Sequence, residues 1–141
     1  METTFHYLLL ASQSTLHKQL LAELKDTGLT VGQPKVLEYL QAHDGAHQAE
    51  IARACRIEAA TLTSLLNRME EHSLLERRTQ PGDRRSFFIF LTPKGAALAQ
   101  QVTDTFRQLE ENAFQGVDEQ ERQLFLNIFR RVHANLTERE S

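Results

Sequence analysis

The chain has no tryptophan, two tyrosines and a single cysteine in 141 residues. One cysteine excludes an internal disulfide framework and agrees with a reducing cytoplasm. No hydrophobic run approaches the roughly 18 residues that a membrane span requires, so no membrane partner is expected. The start, Met1-Glu2-Thr3-Thr4-Phe5-His6, lacks the basic segment and small-residue cleavage site of a secretory signal. Glycine is sparse, at six residues, and none builds a phosphate-binding loop. Nucleophile motifs and close carboxylate–histidine pairings are also missing, so no enzyme is expected. The histidines at 6, 17, 43, 47, 72 and 133 are spread along the chain, and neither a metal nor any cofactor is expected. Internal repeats and low-complexity segments are absent too. Finally, there is no overall positive charge: the net charge is −3, so the bulk balance gives no nucleic-acid signal.

The distribution of charge does. From Arg53 to Lys94 eight basic residues face five acidic ones, and from Arg77 to Lys94 five face one. A basic island on an acidic chain is a local electrostatic footprint for a polyanion. It coincides with a motif. Gln48 to Cys55 reads as a short helix, Arg56 to Ala59 as a turn, and Ala60 to Glu71 as a second helix. Two β-like runs follow, Leu74 to Thr79 and Ser86 to Leu91, joined by Gln80-Pro81-Gly82-Asp83-Arg84-Arg85. Helix, turn, helix and an arginine-tipped hairpin make a winged helix-turn-helix. Its second helix and its tip are able to enter adjacent grooves of one duplex. The fold class expected is mainly α with a small β-hairpin wing.

Helices flank this unit. The first is expected from about Phe5 to Lys25, with Leu8, Leu9, Ser12, Leu16, Leu20 and Leu24 near a 3.6-residue period and Asp26-Thr27-Gly28 ending it. Thr30 and Gln33 have capping-box spacing and open a second helix to about His43, with Pro34 tolerated in its first turn and Val36, Leu37 and Leu40 inward. His43 to Ala46 reads as a loop. Thr92-Pro93 restarts a helix to about Phe114 that presents Leu98, Val102, Phe106 and Leu109. Asp118 and Glu121 cap a last helix with a wide stripe of Leu124, Phe125, Ile128, Phe129, Val132 and Leu136. The terminal stripes need a partner, and one winged helix covers about half of a typical operator. A two-fold dimer answers both needs. A single domain over residues 1–141 is expected, with a DNA-binding lobe at about 33–92 and dimerisation helices at about 3–28 and 93–139.

These residues resemble the MarR family of bacterial transcription regulators over nearly the whole chain. The wing signature of that family stands here as Asp83-Arg84-Arg85, then Ser86-Phe87-Phe88-Ile89-Phe90, then Leu91-Thr92-Pro93-Lys94-Gly95. Glu50-Ile51-Ala52 matches the first motif helix, and Thr61-Leu62-Thr63 through Arg68-Met69-Glu70 matches the recognition helix. The resemblance implies a triangular homodimer, interleaved by its terminal helices, that represses from a pseudo-palindromic operator. It also implies release of DNA on binding a small lipophilic or phenolic effector or on cysteine oxidation. Three positions depart from the family pattern: Arg56 replaces a turn glycine, Glu58 a serine or threonine cap, and Ser73 a glycine after the recognition helix.

On the recognition helix, Thr61, Thr63, Ser64, Asn67 and Arg68 form the polar face, opposite Leu62, Leu65, Leu66 and Met69. Threonine methyls suit thymine, asparagine suits adenine, and arginine suits guanine or phosphate. At the tip, Arg84 or Arg85 can reach a narrowed minor groove. By the family pattern Arg85 is the inserting residue and Asp83 steadies it or the turn. Arg77, Arg78 and Lys94 lie at the hairpin base, where phosphate contact and a solvated role are both open, and Gln48 offers an amide to phosphate at a helix start. Cys55 takes an apolar core position, away from the N-terminal helix where the peroxide-sensing branch of the family keeps its cysteine, and should be inert. The effector pocket implied by the resemblance lies between the first, second and fifth helices, with Gln13, His17, Val36 and Val102 as candidate lining. The competing reading is a winged-helix protein-interaction module without operator binding.

Overall fold

The structure, a computed structural model, describes residues 2–139. Its elements are α1 (Phe5–Glu23), a 3-10 turn (Lys25–Thr27), α2 (Gln33–Ala42), β1 (Ala46–His47), α3 (Gln48–Cys55) and α4 (Ala59–Glu71). They continue as β2 (Leu75–Gln80), β3 (Asp83–Leu91), α5 (Pro93–Ala113) and α6 (Glu119–Glu138). The fold is thus mainly helical with a three-stranded antiparallel sheet of order β1-β3-β2. No helix among the described residues is long and apolar enough to cross a membrane. The chain divides into two compact units, Met1–Arg107 and Gln108–Ser141, and α5 runs through the division.

The core of the first unit follows the sequence periodicity. Leu37 and Leu40 of α2, Ile51 of α3, Leu62 and Leu66 of α4 and Ile89 of β3 are fully buried. Each such side chain contributes about 1.5–3 kcal/mol through loss of apolar contact with water. In α1 only Leu20 is buried, with Leu24 just beyond it, whereas Leu8, Leu9 and Leu10 are exposed. The expected inward stripe therefore holds only toward the C-terminal end of that helix.

Helix α2 begins differently from the expectation. Its cap is Gly32, in a left-handed conformation at φ 91°, and not Thr30. The Thr30–Gln33 spacing makes half a box: the Thr30 N–H donates to Gln33 Oε1 at 3.0 Å, while the Gln33 N–H donates to the Thr30 carbonyl. Pro34 sits in the first turn as expected. At α5 the Thr92 hydroxyl accepts from the Gly95 N–H at 3.0 Å, which fixes that helix start. Gly95 is there for space: a Cβ on it would lie 1.8 Å from the Leu74 carbonyl oxygen.

The hairpin is longer than expected. Gln80 pairs with Asp83, so the strands run to the tip and only Pro81-Gly82 turns, with Gly82 at φ 87°. Arg84 and Arg85 consequently lie on β3 and not in a loop. The stretch expected as a loop from His43 to Ala46 also holds a surprise: Ala46 and His47 form β1 against Ile89 and Phe88. Two residues carry too little alternation to be recognised from sequence.

In the second unit, Asp118 and Glu121 form the expected capping box, with the Glu121 N–H donating to Asp118 at 2.8 Å and the Asp118 N–H to Glu121 at 3.1 Å. Phe125 lies between Phe114 and Phe129, and Arg122 stacks over Phe114 while facing Glu110 and Glu111. None of the described α6 residues is buried, and Leu124, Phe125, Ile128 and Leu136 are exposed.

Candidate nucleic-acid interface

The face of α4 turned away from the core is polar because the apolar positions are spent inward. Leu62, Leu66 and Met69 are fully buried and Leu65 nearly so, while Thr61, Thr63, Ser64, Asn67 and Arg68 are exposed. Thr61, Ser64, Asn67 and Arg68 make no side-chain hydrogen bond or ion pair among the described residues, so their donors and acceptors face solvent. Thr63 is different. Its hydroxyl donates to the Ala59 carbonyl at 3.0 Å and accepts from Gln48 Nε2 at 2.9 Å, which leaves its methyl as the group on offer. Gln48 is thereby engaged with α4, and its buried Oε1 has no partner among the described residues.

The backbone around this helix carries the three departures noted in the sequence. Arg56 adopts φ 56° and Ser73 φ 61°, left-handed values that favour glycine. Both are held by returning backbone bonds: the Ile57 N–H to Ala52 and the Leu74 N–H to Met69. Glu58 precedes α4 without any side-chain cap bond. Its carboxylate still suits the positive end of the helix.

At the wing, Asp83 steadies the turn and not the arginine head group: its Oδ1 accepts from the backbone N–H of Arg85 at 3.0 Å and of Ser86 at 3.3 Å. The Ser86 hydroxyl, with those amides, holds the Asp83 carboxyl below its usual range. Arg84 and Arg85 are exposed neighbours on β3, in the stretch where the pairing with β2 shifts register between Arg78 and Gln80. Arg85 lines an open cavity of about 370 Å³ shared with Gln48, Thr63, Leu62, Arg77 and Phe87. The base of the wing is occupied. Arg77 pairs with Glu70 at 3.0 Å and faces the Phe87 ring at 5.6 Å. Arg78 pairs with Glu76 and lies 4.2 Å from the Phe90 ring centre, and Lys94 Nζ donates to the His72 carbonyl.

Sequence reasoning missed three residues here. Glu70 and Phe87 engage Arg77 across a helix–strand junction, which no local spacing reveals. His47 caps α3: its Nδ1 accepts from the Ala49 N–H at 3.1 Å, and its ring stands edge-on to Phe88. His43, four residues earlier, instead stacks on Tyr39. No group of three or more metal-ligating side chains occurs among the described residues.

Away from this face, a cavity of about 140 Å³ in the first unit is lined by Gln13, Leu16 and His17 of α1, with Val31, Lys35 and Phe106. Val36 and Val102 do not line it, because both are fully buried in the core. Cys55 is also buried, its thiol directed to the Lys35 carbonyl at 3.5 Å, and burial pushes its pKa up.

Comparisons with known proteins agree on one family. A family model described as the MarR family matches residues 27–86. The HTH-type transcriptional repressor NicR of Pseudomonas putida is 31% identical over 107 residues, spanning 76% of this chain and 68% of that protein. A MarR-family transcriptional regulator from Silicibacter pomeroyi superposes with a TM-score of 0.84 at 28% identity, covering 95% of this chain and 90% of the other. The MepR–DNA complex of S. aureus superposes with a TM-score of 0.84 at 28% identity, covering 96% and 99%.

Proposed function

This chain belongs to the MarR family of transcription regulators, and on that premise we propose that it is a sequence-specific DNA-binding repressor acting as a homodimer in the cytoplasm. The observation that carries the reading is the α4 face, where Thr61, Ser64, Asn67 and Arg68 are exposed while Leu62, Leu65, Leu66 and Met69 are buried. A helix so divided presents a set of base- and phosphate-directed groups at a spacing the major groove admits. Arg85 reaches the flanking minor groove, Arg84 the neighbouring phosphates, and Asp83 holds the turn that aims them. The lobe at about 33–92 binds DNA, and the helices at about 3–28 and 93–139 pair two copies. Exposed Phe5, Leu8, Leu9 and Leu10 on α1, and Leu124, Phe125, Ile128 and Leu136 on α6, support that pairing.

The cavity beside Gln13 and His17 is the site for a small lipophilic or phenolic effector. At about 140 Å³ it matches the space that holds one benzene ring, on the order of 150 Å³. A single aromatic ring with one or two polar substituents fits that volume, with His17 and Gln13 as its hydrogen-bonding partners.

The test is selection of bound sequences from random duplexes, followed by titration of wild type and Arg85→Ala at several salt concentrations. Arg85→Ala should weaken binding by roughly 1–3 kcal/mol per arm and flatten the slope of log K against log salt by about 0.9 per lost contact. Half-sites about one helical turn apart are expected in the selected pool. Unchanged affinity and slope would place the tip off the DNA and favour a protein-interaction module.

A further inference from the structure

We propose that Glu70 is a positioning residue that sets the angle between α4 and the wing, with Arg77 as its counterpart. The inference rests on the DNA-binding reading above and deepens it. Glu70 stands in the last turn of α4, before the left-handed Ser73 that redirects the chain into β2. Its two oxygens are both used: Oε1 accepts from the Arg77 guanidinium at 3.0 Å and Oε2 from the Arg77 backbone N–H at 3.2 Å. The guanidinium also faces the Phe87 ring on β3, and the Arg77 side chain is only 18% exposed against 59% for Arg78. One arginine therefore joins α4, β2 and β3.

The remaining contacts at this junction hold only the root of the hairpin. The Thr92 hydroxyl donates to Ser73, the Thr92 N–H to Leu74 and Lys94 to His72. Among the described residues, Glu70–Arg77 is the one ion pair between α4 and the strands. β1 ties the hairpin only as far out as Ile89 and Phe88, so without the ion pair the part beyond them loses its charged tie to α4, and an arginine at the tip is held less firmly at one distance from the polar face of α4. Two grooves must be met at once, so a fixed angle lowers the ordering cost of binding and restricts which spacings are accepted.

Charge alone predicts the reverse. Glu70 is an acidic group close to the surface that meets a polyanion, so its neutralisation should tighten binding if it acts only through its field. The two effects have opposite signs, and Glu70→Gln separates them. Glutamine keeps the shape but has one acceptor oxygen where the carboxylate has two, and it forms no ion pair.

The experiment has two arms on the full chain, with circular dichroism confirming the fold of each variant. In the first, hydrogen exchange of the protein without DNA compares wild type with Glu70→Gln. Faster exchange confined to the 75–91 hairpin is expected, with α4 and α5 unchanged, and equal exchange would overturn the proposal whatever the DNA result. In the second, Glu70→Gln is titrated against the selected operator in the wild-type and Arg85→Ala backgrounds. Binding weaker by roughly three- to tenfold is expected in the first background and little further loss in the second, because aim is worthless without the tip. Equal or tighter binding, or the same loss in both backgrounds, overturns the proposal. A wild type that selects no sequence defeats the DNA-binding reading instead, and the exchange arm still decides the role of Glu70.

Discussion

Cys55 shows how one position separates two modes of regulation. Its thiol is buried against the Lys35 carbonyl, and loss of hydration raises its pKa above the usual thiol value. The reactive thiolate is therefore scarcer at neutral pH than for an exposed cysteine, and appears only as pH rises through that raised value. Native protein should react slowly with a disulfide reagent such as DTNB, with the rate increasing into the alkaline range, and peroxide should leave operator binding unchanged. Rapid labelling at neutral pH would contradict this. At this scale much was legible in the sequence. The apolar setting of Cys55 and the division of α4 into polar and apolar faces follow from local pattern, whereas the left-handed backbone at Arg56 and Ser73 was signalled only by the glycines that the resembled family carries there. What was not legible is which polar groups are already engaged. Thr63, Gln48 and Arg77 look like free donors in the sequence, but each has a partner brought to it by tertiary structure.

Among the elements, those with side-chain caps were bounded best. Thr92 and the Asp118–Glu121 box fix the starts of α5 and α6 where local chemistry predicts. Asp118→Ala removes an acceptor for the Glu121 N–H and should lower stability by about 1 kcal/mol, read as a fall in thermal midpoint. An unchanged midpoint would show that the start of α6 is held by its packing. Where the cap is backbone in origin, the sequence misled. Gly32 precedes α2 with no side chain to advertise it, and Thr30 drew the assignment away. The wing strands also ran past their expected ends, because Gln80 and Asp83 pair for register while their side chains lack strand character.

For the molecule as a whole, the exposed apolar residues of α1 and α6 argue that one copy is incomplete. Isolated apolar groups on a surface are ordinary, but Leu124, Phe125 and Ile128 recur along one helix that buries none of its described residues. Sedimentation at low micromolar concentration should give twice the 16.2 kDa chain mass, and Phe125→Asp should shift the population toward single copies. A wild-type protein sedimenting mainly as single copies would refute the homodimer. Composition and periodicity reached this expectation, yet neither shows how rigidly the parts are joined. Gly95 does. With a Cβ-sized gap missing between α5 and the Leu74 carbonyl, and Thr92 bonded to both Ser73 and Leu74, the start of α5 and the root of the hairpin share one joint with no slack. The hairpin is then the long arm of a lever. Its tip at Gly82 stands roughly 25 Å from Leu74 at about 3.3 Å per residue, so a rocking of α5 by about 5° displaces the arginine tip by about 2 Å. That travel is comparable to the difference between a hydrogen bond made and one broken. A helix start that moves too little to be noticed on its own is, at the far end of this arm, enough to loosen a grip.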